Sequence, residues 1–449
     1  MKLNSQTLVL GIVWLLSFHA KEVLSASNAT STNDIKVSTE PQCALLPPDY
    51  PPNEGIRAFT QQPIMEATTL SAISFPPMPP KIRAMIHEEW DTLDPKGSLM
   101  IAAMSKLDGA VEFAHARTTF YDHLKGTFSL LSIWNQPEAV RRTGLVHTAY
   151  SGDLFQFYLF DSNDAGQRDI VRDLLGEEAE ALTYLFGTVN RGNLCHFKDV
   201  VNCIRASATV PTGNQTVEQR GMVGELQVTP NEAANILMVT IADYMDQMVD
   251  TNGWRDHHQE EDGGDYLYPG DGKPALGFYW FSSVCNAIKG SLEVTPPIFN
   301  HCETVISYES EKRARDSYWK VILEEKTLSE DDQMASLKSS IIYNEFVAEP
   351  HIMLSQIYFR QRKYFEAATQ AQMALNKFYT LGTAWDKRRD YGHWIGFGRS
   401  LLLRSNRKME GKICSFPCTD PNDPVYINHN GLKLIDLQDL VSEMREREE

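Results

Sequence analysis

Apolar residues recur at three- and four-residue intervals along much of the chain, a spacing that is typical of amphipathic helices. Between residues 170 and 189, the apolar positions that follow this spacing are Val171, Leu175, Ala179, Leu182 and Phe186. Acidic residues occupy the opposite positions, as expected for a solvated face. The same periodicity recurs within residues 95–250, apart from a predicted irregular insertion over residues 187–228, and returns over 309–410. The pattern therefore predicts an all-α fold with two helical regions.

Other segments lack this periodicity. Ten of the 22 prolines lie between Pro41 and Pro80, and because proline fixes φ we predict an extended leader over residues 27–94. Residues 251–308 include an acidic, glycine-containing run that predicts a polar connector; a calcium loop is the alternative, although the ordered EF-hand spacing is absent. Residues 411–449 are predicted to form a C-terminal tail.

The second helical region contains a pattern of small residues. Ser355, Ala367 and Ala374, with Tyr358 between them, favour two antiparallel helices in close contact. This stretch resembles a tetratricopeptide repeat, of which one unit is clear. The resemblance implies a tetratricopeptide-like region that presents a groove to a peptide or protein. The aromatic-basic run 385–391 is a candidate contact surface, but we favour a charged helix face as its interpretation.

The N-terminus predicts targeting to the secretory pathway. Residues 1–26 combine an early lysine, an apolar run at 8–18 and small residues before Ala26, which is typical of a cleaved signal peptide. The run is short for a membrane span, so a retained anchor is the less favoured alternative. We expect a secreted or endomembrane-lumenal protein, without membrane association after cleavage. Asn28 and Asn214 lie in glycosylation sequons that this compartment would use.

Seven cysteines follow the predicted signal, enough for three disulfides and one free thiol. Sequence does not fix the connectivity, but the plausible local pairs are Cys195 with Cys203, Cys285 with Cys302, and Cys414 with Cys418. The formal net charge of −17 disfavours binding to nucleic acid, whose phosphates a strongly acidic chain repels.

Candidate chemistry centres on His123, His147 and Asp243, which lie on three separate predicted helices. Taken singly, each histidine is more often a core residue than a ligand. Together, two imidazoles and a carboxylate suit one divalent transition metal such as manganese, iron or zinc. Thr229 and Glu232 have the spacing of a capping box and predict the start of the helix that carries Asp243.

The contexts of these three residues resemble one superfamily. The segments 121–124, 142–147 and 241–248 are similar to the metal-binding helices of HD-type metal-dependent phosphohydrolases, especially the hydrolase domain of alarmone hydrolases. The order of the chain further resembles an uncharacterised family of HD-like proteins in algae and plants. The resemblance implies an HD-like helical bundle over residues 95–250, metal ligation by His123, His147 and Asp243, and a nucleotide or small phosphoester as substrate.

The chain departs from that superfamily at functional positions. Thr148 replaces the aspartate of the histidine-aspartate doublet, and Ser151 and Gly152 stand where alarmone hydrolases place a catalytic Glu-Asp pair. Catalysis therefore stays open, and a non-catalytic helical binding or scaffold protein that uses the repeat-like region is the alternative. Additional candidates for the pocket are His115, Thr148, Tyr150, Arg168 and Arg220.

Overall fold

The computed structural model describes seven segments of the chain: residues 73–106, 108–115, 118–150, 159–189, 215–218, 225–247 and 273–409. Within them, helices dominate and the strands form two short antiparallel pairs. The predicted all-α fold is therefore confirmed.

The helices of the first half are α1 (Pro80–Ile86), α2 (Trp90–Leu93), α3 (Pro95–Met104), α4 (Asp108–Val111), α5 (Phe120–Ile133), α6 (Glu138–Val146), α7 (Ala165–Leu175), α8 (Glu177–Thr188) and α9 (Pro230–Gln247). The strand pairs are β1 (Ala114–His115) with β2 (Thr118–Thr119), and β3 (Gln215–Glu218) with β4 (Glu225–Val228). The helices of the second half are α10 (Phe278–Ile288), α11 (Tyr308–Glu324), α12 (Glu330–Tyr343), α13 (Glu349–Arg360), α14 (Tyr364–Leu381) and α15 (Tyr391–Met409), with 3₁₀ turns at Lys289–Ser291 and Pro297–Cys302.

Side-chain caps fix the starts of two helices around the site. Asp94 accepts hydrogen bonds from the first amides of α3 and forms a buried two-bond pair with Arg142 of α6, at 2.8 and 3.0 Å. The predicted capping box of α9 is confirmed, because Glu232 accepts from the Thr229 amide at 2.7 Å and Thr229 Oγ1 accepts from the Glu232 amide at 3.2 Å. These caps satisfy backbone groups that a helix end leaves without partners.

Helix α5 lies between the two helical regions. It packs against α6 and α9 on one side and contacts α14 on the other. At its C-terminal end the buried Trp134 donates its indole N–H to the Leu381 carbonyl at 3.0 Å. Gly382 then ends α14 with φ of 82°, and a β-carbon there would lie 3.2 Å from Leu130 and Ile133. One continuous apolar core therefore includes residues from both regions.

Three expectations from sequence are wrong in part. The helices α1 and α2 lie within the predicted extended leader, because Pro80 suits the first turn of a helix and Ile82 is buried. Helix α10 also lies within the predicted connector, and its apolar residues Phe278, Phe281, Val284 and Ile288 follow a helical spacing. Residues 385–390 of the aromatic-basic run lie in the loop that joins α14 to α15 rather than on a helix face, and Tyr391 begins α15.

The small residues of the second region lie where two helices meet. The hydroxyl of Ser355 on α13 donates to the Ala367 carbonyl on α14 at 2.7 Å, and Ala367 and Ala374 are fully buried. Tyr358 is half-buried beside them. The spacing of small side chains therefore allows α13 and α14 to pack closely.

Several predictions fall outside the described residues: the signal peptide, the sequon residues Asn28 and Asn214, Arg220, the tail, and the side chains of every cysteine except Cys285. Cys285 is disulfide-bonded. Among the described helices, none has the length and apolar character needed to span a membrane.

Candidate metal centre

His123, His147 and Asp243 converge in the structure although α5, α6 and α9 are distant in sequence. One donor atom from each lies within 4.8 Å of the others, and all three side chains are buried. Asp243 Oδ1 is 3.1 Å from His123 Nε2 and 3.8 Å from His147 Nε2. Ligands about 2.1 Å from a common ion lie roughly 3.0–3.5 Å apart, so small shifts would complete the geometry. The cluster could hold a metal ion.

The other ring nitrogen of each histidine is occupied. His147 Nδ1 lies 2.8 Å from the Gly144 carbonyl, which can only accept, so Nδ1 carries a proton and Nε2 faces Asp243. His123 Nδ1 donates to Asp246 Oδ2 at 2.8 Å. Metal-ligating histidines are oriented in this way by partners on the far nitrogen. The two imidazoles are therefore held with Nε2 towards the same point.

The protonation of His123 follows from its two carboxylate neighbours. Burial by itself lowers the pKa of His123, but hydrogen bonds and charge from Asp243 and Asp246 outweigh it and raise the pKa to about 9. Without an ion, His123 is therefore cationic near neutral pH and pairs with both carboxylates. A divalent cation at this position would take the place of the Nε2 proton.

Asp246 and Gln247 of α9 complete the cluster, although the sequence pattern alone did not single them out. Asp246 and Gln247 lie three and four residues after Asp243, a spacing that places them on the same helix face. The Gln247 amide is 2.5 Å from Asp243 Oδ1 and 3.1 Å from His123 Nε2. Because amide oxygen and nitrogen can exchange places by a half-turn, Gln247 can present its oxygen as a fourth ligand. The i+3 and i+4 spacing was the signal that would have identified them.

The helices approach one another closely at two glycines, and this close approach brings the donor atoms together. A β-carbon at Gly126 of α5 would lie 1.9 Å from Asp246 Oδ1, so only glycine lets that carboxylate reach His123. A β-carbon at Gly144 of α6 would lie 2.4 Å from Leu131, so glycine also lets α6 approach α5. The positions of the donor atoms thus depend on short distances between helix backbones, which any side chain at these two glycines would increase.

The additional pocket candidates have different locations. Tyr150 and Arg168 meet at the buried Glu180, where the Tyr150 hydroxyl and the Arg168 Nε each donate to Oε1 at 2.8 Å. This group joins α7 to α8, and none of its three residues lines the pocket beside His123. Thr148 is half-buried directly after His147. The side chain of His115 lies outside the described residues, as does Arg220.

A small pocket of about 170 Å³ adjoins the cluster. His123, Asp246 and Gln247 line one side, and the loop between α14 and α15 lines the other through Lys387 and Arg389. The sequence pattern of this loop indicates a charged helix face or a contact surface for a partner. Its position beside His123 follows from the packing of α14 against α5.

Comparison with known proteins gives one family match. Residues 104–191 match a family described as a domain of unknown function (DUF6817). The matched segment is about a fifth of the chain and contains His123 and His147, whereas Asp243 lies beyond it. No curated protein and no solved structure matches the chain.

Proposed function

We propose that the protein is an HD-type, metal-dependent phosphohydrolase-like protein that acts on a nucleotide or small phosphoester. The observation that supports this is the convergence of two Nε2 atoms on Asp243 Oδ1, with each Nδ1 held by an outer acceptor. Two nitrogens and one or two oxygens form a donor set suited to manganese, iron or zinc. Such an ion, when bound, polarises a phosphoryl oxygen and lowers the pKa of bound water.

The chain's own residues have separate tasks in this proposal. The ligand atoms come from His123, His147 and Asp243. Asp246 orients the imidazole of His123, and the Gly144 carbonyl orients that of His147. The Gln247 amide compensates for Thr148, which lacks the carboxylate of the histidine-aspartate doublet. The burial of all three ligands excludes bulk water from the cluster. Ser151 and Gly152 lie outside the described residues.

The decisive experiment measures bound metal in full-length protein prepared without chelator. Elemental analysis should find about one transition-metal ion per chain, and His147→Ala or Asp243→Ala should abolish it. His351→Ala is the matched control, because His351 is also buried and also hydrogen-bonded through Nδ1, but to Gln370 on α14. Metal content that is equal in all three variants and the wild type would refute the assignment.

The same samples test turnover. Phosphomonoesters, phosphodiesters and nucleotides should be assayed with added manganese, iron or zinc. Hydrolysis that is lost in His147→Ala and retained in His351→Ala would support the enzyme. Stoichiometric metal without hydrolysis of any class would instead favour the binding or scaffold alternative, with the metal as a structural element.

A further inference from the structure

Residues 73–79, which directly precede α1, form an extended strap that contacts α14 and α15. Three of its seven residues are prolines, and Pro79 has φ of −55° and ψ of 138°, close to polyproline II. The strap belongs to no helix or strand. Its contacts are distant in sequence, since 298 residues separate Ser74 from Gln372.

Side chains of α14 and α15 bind the backbone of the strap. The buried Asn406 carboxamide accepts from the Ile73 amide at 3.1 Å and donates to the Ile73 carbonyl at 2.7 Å. Gln372 and Arg399 donate to two further carbonyls of the strap, at 3.0 and 3.1 Å. In peptide recognition, bonds of this kind supply affinity for an extended backbone, and side-chain contacts add specificity.

The side chains that hold the strap repeat at intervals of seven residues. They are Gln372 and Tyr379 on α14, and Arg399 and Asn406 on α15, with Arg399 also donating to the Tyr379 hydroxyl at 3.2 Å. Seven helical residues rise about 10.5 Å, and three extended residues span about 9–10 Å. The strap carbonyls bonded by Asn406 and Arg399 are three residues apart. The two helices and the strap therefore have matching repeats.

Apolar side chains of the strap add to these bonds. Ile73 and Met78 pack against the main apolar core. The ring of Phe75 lies against the Arg399 guanidinium, with 4.3 Å between the guanidinium carbon and the ring centre, yet Phe75 is 36% exposed. One side of the strap thus contacts the helices and the other faces water, as in a bound peptide.

Helix α1, which follows the strap, has separate anchors on α5. Lys81 donates to the Ser132 carbonyl at 3.0 Å and to Asn135 at 2.7 Å, and Ile82 is buried. The strap can therefore leave α14 and α15 without the release of α1. A half-exposed segment that is held mainly by side-chain bonds opens at a lower free energy than the buried helices around it.

We propose that the face of α14 and α15 beneath the strap is a groove for an extended, proline-containing peptide of a partner protein, and that residues 73–79 occupy it in cis as an exchangeable ligand. The matching peptide has an apolar side chain in place of Ile73 and an aromatic ring in place of Phe75, against the Arg399 guanidinium. The groove shares no residue with the candidate metal centre. The proposal therefore rests neither on bound metal nor on hydrolysis.

The test is fluorescence anisotropy of a labelled peptide with the sequence of residues 70–80, titrated with full-length protein. Occupation in cis lowers the apparent affinity for the peptide in proportion to the fraction of open groove, so Ile73→Ser/Phe75→Ala should bind it about tenfold more tightly than the wild type. Ser74→Ala is the matched control, since Ser74 is exposed and contributes its backbone carbonyl. Its affinity should equal that of the wild type.

Variants of the groove should have the opposite effect. Added to Ile73→Ser/Phe75→Ala, Asn406→Leu or Arg399→Met should weaken peptide binding about tenfold, because each removes hydrogen bonds to the peptide backbone but keeps the bulk of the side chain. Arg404→Met is the control, since Arg404 is an exposed cation of α15 that lies over the Phe359 ring. Circular dichroism establishes that each variant is folded.

Hydrogen exchange of the wild-type protein gives a second readout that needs no variant. Saturating unlabelled peptide should accelerate exchange of the Ile73 amide, which Asn406 protects, while α14 and α15 stay protected.

Several results would overturn the proposal. They are equal peptide affinity in the wild type and Ile73→Ser/Phe75→Ala, a loss in Arg404→Met as large as in Arg399→Met, and unchanged exchange at Ile73. A dimer that exchanges straps between copies and that the peptide does not dissociate would assign the groove to a second copy instead of a partner.

Discussion

Asp246 Oδ2 lies 2.8 Å from His123 Nδ1, and this contact joins α9 to α5 directly behind the candidate metal centre. The His123 side chain is almost fully buried, whereas that of Asp246 is about a fifth exposed. Asp246 is therefore positioned to orient the imidazole without itself supplying a ligand atom. Several predictions about the centre depend on this relationship.

Replacing Asp246 with asparagine should weaken metal binding. The variant keeps the shape of the side chain but removes the charge that makes His123 a better ligand, and loss of such an outer partner typically costs 10–100-fold in affinity. Competition titration with a metal indicator would measure the change. Asp122→Asn is the control, because Asp122 lines the same pocket and is bonded to Lys125 and Thr119 rather than to a histidine. Equal affinities for the wild type and Asp246→Asn would contradict the orienting role.

Gly126→Ala should have the same effect without altering any polar group. Its β-carbon would occupy the space of Asp246 Oδ1, so the carboxylate must move away from His123 or the helices must separate. We expect reduced metal affinity together with a lower melting temperature. Gly109→Ala is the control, since a β-carbon there meets nothing within 4 Å. A variant that binds metal as tightly as the wild type would show that the contact is dispensable.

Gln247→Glu should strengthen metal binding, and Gln247→Met should weaken it. The glutamate would place a second carboxylate beside Asp243 and restore the acidic ligand that Thr148 lacks, whereas methionine retains bulk without an oxygen ligand. Ligand-linked stabilisation provides the measurement: saturating metal should raise the melting temperature most in Gln247→Glu and least in Gln247→Met. The reverse order would exclude Gln247 from the coordination sphere.

His351 should make the second helical region sensitive to acid. Burial lowers the pKa of His351 to about 4, and its Nε2 has no hydrogen-bond partner among the described residues. The unfolded chain, with an ordinary pKa near 6.5, binds more protons between these values, so stability is present above pH 6.5 and is lost as pH falls towards 4. The loss from this one group is up to about 3 kcal/mol.

Urea unfolding at pH 7 and pH 4.5 would measure this contribution. His351→Gln should lose less stability than the wild type over that interval, because the substituted side chain does not titrate. His393→Gln on α15 is the control, since His393 is exposed and is solvated whether the chain is folded or not. Parallel losses in the wild type and His351→Gln would assign the acid sensitivity to other groups.

The sequence by itself determined the features that depend on near neighbours. Apolar spacing predicted the helices, and the spacing of Thr229 and Glu232 predicted the start of α9. The short sequence segments around His123, His147 and Asp243 predicted the cluster. The spacing of Asp246 and Gln247 after Asp243 places them on the same helix face, so they too could be predicted from sequence. Helix α10 was missed because it lies in the same predicted connector as the acidic, glycine-containing run, although its own apolar residues follow a helical spacing.

Only the tertiary structure decided what lies opposite the cluster. Lys387 and Arg389 sit in a polar run whose pattern fits a solvated helix face as well as a loop. Their place beside His123 results from Trp134 and Gly382, which join the end of α14 to α5, and from Glu349, which fixes the following loop. Periodicity shows which face of a helix is buried and which is exposed to water, but it does not show which distant segment packs against the buried face. Close packing between α5 and α14 supplies that information, because it depends on the shapes of both helices together.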